Sequence, residues 1–279
     1  MTGPETTGRV VGYAVEDGFA VLTLDSPHNR NAISSRLVTE LQEGLDRAAA
    51  DPRVRGVVLT HTGNTFCAGA DLKEAVAADP AAAADIRTQW MVRLLRSILE
   101  LPKPVIAKVD GNVRAGGMGL LAACDIAVAG LSSSFALTEA RLGLAPFVIS
   151  LTLLPRMAPR AADRYFLTGE KFDADTAERI GLITLATNDP DARVSELLDE
   201  LREGSPQGLA ESKRLTTAGI LAEFDRSAAE LAVRSGSFFG SDEVIEGMTA
   251  FLQRRPPNWA EPAPATSAPG SGPAEGSAE

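Results

Sequence analysis

Strand-like and helix-like spacing of apolar residues alternate over roughly the first 200 positions of this chain. Beyond that point only helical spacing remains. Val10–Val15 and Phe19–Leu24 flank Glu16-Asp17-Gly18, which predicts a hairpin. Leu37, Val38, Leu41, Leu45 and Ala48 share one face of a helix over Ser34–Ala50, with Ser34 as its N-cap. Val54–Thr60 is a continuous apolar run, read as a buried strand. Ile86, Trp90, Leu94 and Ile98 are in register on a helix over Ala84–Leu101, which Pro102 and Pro104 stop. Strands follow at Val105–Val109 and Ile126–Ala129, then helices at Ala161–Leu167, Ala174–Ile180, Ala222–Ser235 and Ser241–Leu252. The pattern predicts an α/β core with a helical appendage. Residues 1–8 read as a loose leader, 9–200 as the core and 201–259 as the helical region. Residues 260–279, rich in Pro, Ala, Gly and Ser, read as a disordered tail.

Composition narrows the classes. With 279 residues, 44% of them hydrophobic, the chain can bury a sizeable core. It has 27 basic and 37 acidic residues, a net charge of −10, and no Lys/Arg block, which argues against a nucleic-acid or membrane-surface partner. Two distant cysteines, Cys67 and Cys124, and two histidines argue against a disulfide framework and a metal site. No signal-peptide pattern or membrane-length apolar run is present, and a cytoplasmic location is the simplest expectation. His28 and His61 are expected at the surface or in turns. Cys67 is expected as a buried filler rather than a nucleophile.

Two glycine-rich segments, Phe66–Asp71 and Gly111–Gly119, follow two expected core strands. Ligands gather at the carboxyl ends of strands in open α/β sheets. Small residues allow a ligand to approach the backbone closely, and one N–H group from each loop could converge on a single oxygen. Tight turns alone are the alternative, weakened by the occurrence of two such loops at equivalent strand ends. Gly117-Met-Gly119-Leu-Leu-Ala122 also fits a dinucleotide-binding spacing, with Glu139 about twenty residues on. Its context does not fit: residues 110–116 separate it from its strand, and Cys124-Asp125 starts the next strand too soon. No phosphate-loop, G-x-S-x-G or H-E-x-x-H pattern occurs.

Seven stretches then carry a resemblance. They are P-H-N-R-N-A-I (27–33), F-C-A-G-A-D-L (66–72), G-N-V-R-A-G-G-M-G-L-L-A-A-C-D-I (111–126), F-A-L-T-E-A-R-L-G (135–143), Y-F-L-T-G-E-K-F-D-A (165–174), A-E-R-I-G-L-I (177–183) and E-G-M-T-A-F-L-Q-R-R-P-P (246–257). In this order, over residues 9–259, they resemble the crotonase, or enoyl-CoA hydratase/isomerase, family. The resemblance implies a β-β-α spiral core with C-terminal helical trimerisation elements, and a homotrimer or hexamer. It also implies an acyl-CoA thioester substrate and no cofactor beyond the coenzyme A that the substrate carries. Ala70 and Gly116 would supply the oxyanion-hole N–H groups, and Glu139 the acid/base. Asp71 would organise its turn. Arg30, Lys73 and Arg254 or Arg255 are candidates for contacts to the coenzyme A phosphates, with surface charges as the plainer alternative, and Ala68 is a candidate substrate contact.

One position departs from the pattern. Hydratases of this family commonly pair two glutamates, and Gly119 stands where the first is expected. Hydration of a 2-enoyl-CoA on one carboxylate is the first reading. Isomerisation of the double bond, which needs no bound water, is the second. A non-catalytic acyl-CoA binder is the third. The stretches around Gly119 and Glu139 also resemble a branch acting on methylglutaconyl-type esters. There Arg114 could pair with a distal carboxylate, or it could be a loop arginine or a coenzyme A contact.

Overall fold

Residues 8–71, 74 and 80–260 are described by a computed structural model, residues 80–85 by backbone alone. Strands β1 (Val11–Glu16) and β2 (Phe19–Leu24) form the expected antiparallel hairpin. Then β3 (Gly56–His61), β5 (Val105–Val109), β7 (Ile126–Gly130) and β10 (Leu185–Thr187) add in parallel, giving a six-stranded sheet of order β1-β2-β3-β5-β7-β10. Alternation decides what each face meets. Val57, Leu59, Val105 and Ala107 pack with Leu37, Leu41 and Leu45 of helix α1 (Ser35–Ala50) and with Leu94 and Ile98 of α2 (Pro80–Glu100). Val58, Ile106 and Val128 face the other way, onto Val194. The Ser34 hydroxyl accepts the Leu37 N–H at 3.2 Å, capping α1 as expected.

A second sheet was not legible in the sequence. Strands β4 (Thr65–Cys67), β6 (Asn112–Arg114), β8 (Ser134–Ala136) and β9 (Phe172–Asp173) pair in that order. Each has only two or three residues, too few to show a period of two. The chain alternates between the sheets, β3 then β4, β5 then β6, β7 then β8, which is the implied β-β-α spiral. The loops at Phe66–Asp71 and Gly111–Gly119 therefore leave the small sheet, not the large one. Gly116, Gly117 and Gly119 lie in a helix, α3 (Gly116–Ala123), not in a loop.

Helices α4 (Phe147–Leu153), α5 (Pro159–Thr168), α6 (Ala174–Arg179), α7 (Pro190–Glu203), α8 (Pro206–Phe238) and α9 (Asp242–Gln253) complete the chain. The helix expected at Ala222–Ser235 is the C-terminal half of the far longer α8. Its inward face includes Lys213 and Thr217, and those polar members hid the period. Lys213 is buried, with Nζ 2.8 Å from Asp125 Oδ2, and donates to the carbonyls of Ile98 at 2.7 Å and Lys103 at 3.1 Å. Asp125 in turn accepts the Val105 N–H at 2.7 Å. This cluster ties α8 to α2 and the large sheet. Lys213→Met is expected to lower stability by about 3–5 kcal/mol in urea unfolding, because it leaves a buried carboxylate uncompensated. Adding Asp125→Asn should recover part of that loss, and a loss that stays unchanged would contradict this reading.

Candidate active site

The small sheet brings three segments to one end. Its neighbouring strands β4, β6 and β8 run parallel, with Cys67 opposite Val113 and Arg114 opposite Ala136. Their carboxyl ends deliver Gly69-Ala70, Gly116 and Glu139 in turn.

Gly69 has φ +88°, and a Cβ there would stand 2.8 Å from the Ala115 Cβ and 3.4 Å from the Gly116 nitrogen. Only glycine satisfies both the backbone and the space. Its carbonyl accepts the Ile33 N–H at 2.8 Å, and Asp71 N–H donates to the Ile33 carbonyl at 3.2 Å, so Ala70 lies in a short parallel bridge with Ile33. Asp71 accepts from Asn29 Nδ2 at 3.1 Å and from the Glu74 N–H at 3.3 Å. Its carboxylate thus holds the turn, and Ala70 is left exposed.

Across from it, Ala115 adopts φ +47°, ψ −124°, rare for a residue with a Cβ. Its N–H is held by the Ala136 carbonyl at 3.0 Å. That bend starts α3 at Gly116, whose N–H has no partner within the helix because it lies in the first turn. Ile33 and Met91 wall this spot: their terminal carbons would be 3.0 and 3.1 Å from a Cβ on Gly116.

Glu139 opens a 3-10 turn, Glu139–Leu142, directly after β8. The residue is 9% exposed, and Oε2 is buried without a hydrogen-bond partner among the described residues. Burial pushes its pKa up to about 7. Helix α9 backs this turn closely, since a Cβ on Gly247 would meet the Leu142 carbonyl at 2.6 Å.

Gly119 has no vacant slot beside it. A Cβ there would stand 2.3 Å from Ile149 Cγ2 and 2.6 Å from Ile149 Cβ. The Thr152 hydroxyl donates to the Gly119 carbonyl at 3.0 Å, fixing α4 against α3. The side of α3 where a first carboxylate would stand is therefore filled by a buried isoleucine.

The other expected residues separate by environment. Arg30 is exposed in the left-handed region, and its carbonyl accepts the Ala68 N–H at 3.1 Å, so both border the same turn. Arg254 caps α9, exposed, with φ +57°. Lys73 lies outside the described residues. Arg114 donates to the carbonyls of Val113 (2.9 Å) and Ser134 (2.5 Å), to Asn112 Oδ1 (3.0 Å) and to Ser134 Oγ (2.7 Å). That guanidinium braces β6 against β8. Cys67 is buried and its thiol is pushed up to about 12 by desolvation, which suits a filler. His28 is exposed, and His61 is half-buried at the end of β3, where its Nε2 accepts the Asp110 N–H at 3.0 Å and its ring meets Phe66 edge-on. Ile33, Met91 and Ile149 were missed because nothing in an apolar residue's own neighbourhood marks it as a site wall.

A model of the enoyl-CoA hydratase/isomerase family matches residues 14–262. A solved enoyl-CoA hydratase from Mycobacterium avium is 56% identical, covers 91% of this chain and 100% of its own, and superposes with a TM-score of 0.85. The enoyl-CoA hydratase EchA19 of Mycobacterium tuberculosis is 33% identical, over 92% of this chain and 97% of that protein. The spiral of two sheets and these matches agree, and the chain belongs to the enoyl-CoA hydratase/isomerase family.

Proposed function

We propose that the protein adds water across the double bond of a 2-enoyl-CoA thioester, with Glu139 as its only carboxylate acid/base. The observation that carries this is a buried carboxyl with an unpartnered oxygen and a pKa near 7, on the strand end next to two backbone amides. The thioester carbonyl would lie against the N–H groups of Ala70 and Gly116. Glu139 takes a proton from water as the oxygen bonds to C3. The electron pair of the double bond moves to the carbonyl oxygen, where the two amides stabilise the enolate. Glu139 then returns the proton to C2. Each amide donor of this kind is typically worth ~10²–10³ in rate. Arg30 and Ala68 at the rim, and Arg254, are candidates for the coenzyme A portion.

Isomerisation has its own support in the Gly119–Ile149 contact, since an apolar wall offers a second water contact nothing to bond. In that reaction Glu139 would take a proton from C2 of a 3-enoyl-CoA and return it at C4. The two are separated by product. Hydration of crotonyl-CoA removes the conjugated absorbance and adds the mass of one water. Isomerisation of a 3-enoyl-CoA creates that absorbance at constant mass. Hydration is expected; turnover of the 3-enoyl ester alone would establish the second reading, and binding without turnover of either would establish a binder.

A homotrimer or hexamer also fits. Leu215, Val233, Ile245, Phe251 and Leu252 of α8 and α9 are 55–80% exposed, an apolar surface that further copies would cover. Light scattering is expected to give three or six chains, and a monomer would refute this.

A further inference from the structure

Arg87 is a half-buried cation that the chemistry above does not use. It lies on α2 one turn before Met91, and residues four apart on a helix share a face. Met91 reaches Gly116, so Arg87 is on the side of α2 that walls the Ala70–Gly116 pair. Its guanidinium lies 5.8 Å from the centre of the Phe239 ring. Neighbouring Phe238 meets Phe147 edge-on at 5.0 Å, and Phe147 begins the helix that carries Ile149. Phe239 and its neighbour Phe238 thus link Arg87, through Phe147, to the helix that carries Ile149.

The Arg87 Nη2 is buried and has no hydrogen-bond partner among the described residues. Glu74 attracts it only at a distance, and the Glu74 carboxylate is engaged by the Ser35 N–H at 2.9 Å. An unpaired buried guanidinium N–H is costly and calls for an acceptor. The planar guanidinium fork matches a carboxylate in particular. The phosphates of coenzyme A fit this spot poorly, because they are strongly hydrated and exposed arginines such as Arg30 are available to them. Arg114 does not compete for the role, since its donors are bonded within the small sheet.

We propose that Arg87 binds a carboxylate at the far end of the acyl chain, so that the preferred substrates are mono-CoA esters of unsaturated dicarboxylic acids. This rests on the proposed seating of an acyl-CoA at Glu139. The test compares glutaconyl-CoA with crotonyl-CoA, which lacks only the distal carboxylate, in the full-length protein and in Arg87→Met and Arg87→Lys. Wild type is expected to favour glutaconyl-CoA in kcat/KM by about ten- to a hundredfold, the scale of a charged hydrogen bond. Arg87→Met should abolish that preference while leaving crotonyl-CoA within a fewfold, and Arg87→Lys should keep part of it. No wild-type preference, or an equal loss on both esters in Arg87→Met, would overturn the proposal. Calorimetric Kd values for unreactive glutaryl-CoA and butyryl-CoA separate the two layers. Tighter glutaryl-CoA binding that Arg87→Met removes would uphold Arg87 even if no turnover were found, and equal binding would overturn it.

Discussion

Glu139→Gln is expected to abolish most turnover and, above neutral pH, to make the protein more stable. Removing a general acid/base typically costs ~10²–10⁴ in rate. The stability effect follows from the raised pKa. In the unfolded chain a glutamate titrates near ~4.3, and in the folded state Glu139 titrates at about 7. Below the unfolded value the carboxyl is protonated in both states, so it does not bias folding. As pH rises towards 7 the unfolded state ionises first and stability falls. Well above 7 the full penalty is present, roughly 4 kcal/mol from the difference between the two pKa values. The amide of Gln does not ionise and escapes it. Urea unfolding at pH 5 and pH 8 should show the advantage of Glu139→Gln growing between them. An advantage independent of pH would contradict the assignment of this titration to Glu139.

The second large effect concerns Gly119. Gly119→Ala is expected to destabilise by about 1–3 kcal/mol, the usual range for overpacking, because its Cβ would fall 2.3 Å from Ile149 Cγ2. Ile149→Ala alone should cost about 2–5 kcal/mol through the cavity it leaves. In combination the two are expected to be less harmful than their sum by about 1 kcal/mol or more, since each relieves the other. Denaturation of both singles and the double would test this, and strict additivity would refute the contact. The same pair explains how one carboxylate came to stand alone here. A glutamate at 119 would need α4 rebuilt, and Gly119→Glu is expected to fold only when Ile149 is trimmed with it.

Local chemistry was readable where a residue's role depends on its sequence neighbours. Glu16-Asp17-Gly18 marked the hairpin, and Ser34 marked the start of α1. What depends on residues distant in the chain was not readable. The strands of the small sheet are too short for a period to develop. The glycines of α3 looked like loop formers, but two of them exist because Cys67 packs on Gly117 and Ile149 on Gly119. Lys213 carried no expectation and is the buried partner of Asp125. At the site, Ala70, Gly116 and Glu139 were identified through the resemblance. Folding added that they leave three adjacent parallel strands, and that Glu139 is buried without a partner. Arg114 was one candidate for a distal carboxylate, yet it is bonded to its own sheet, whereas Arg87 drew no notice.

The most direct test of the central claim is the pH dependence of kcat/KM for the enoyl ester, in wild type and in Glu139→Gln. Both hydration and isomerisation begin with a proton moving to Glu139, so the ionised carboxylate is the active form. The account predicts that kcat/KM rises with pH through an inflection near 7, and that the residual rate of Glu139→Gln lacks that inflection. A wild-type profile flat through 7, or the same inflection persisting in Glu139→Gln, would place the proton chemistry on another group.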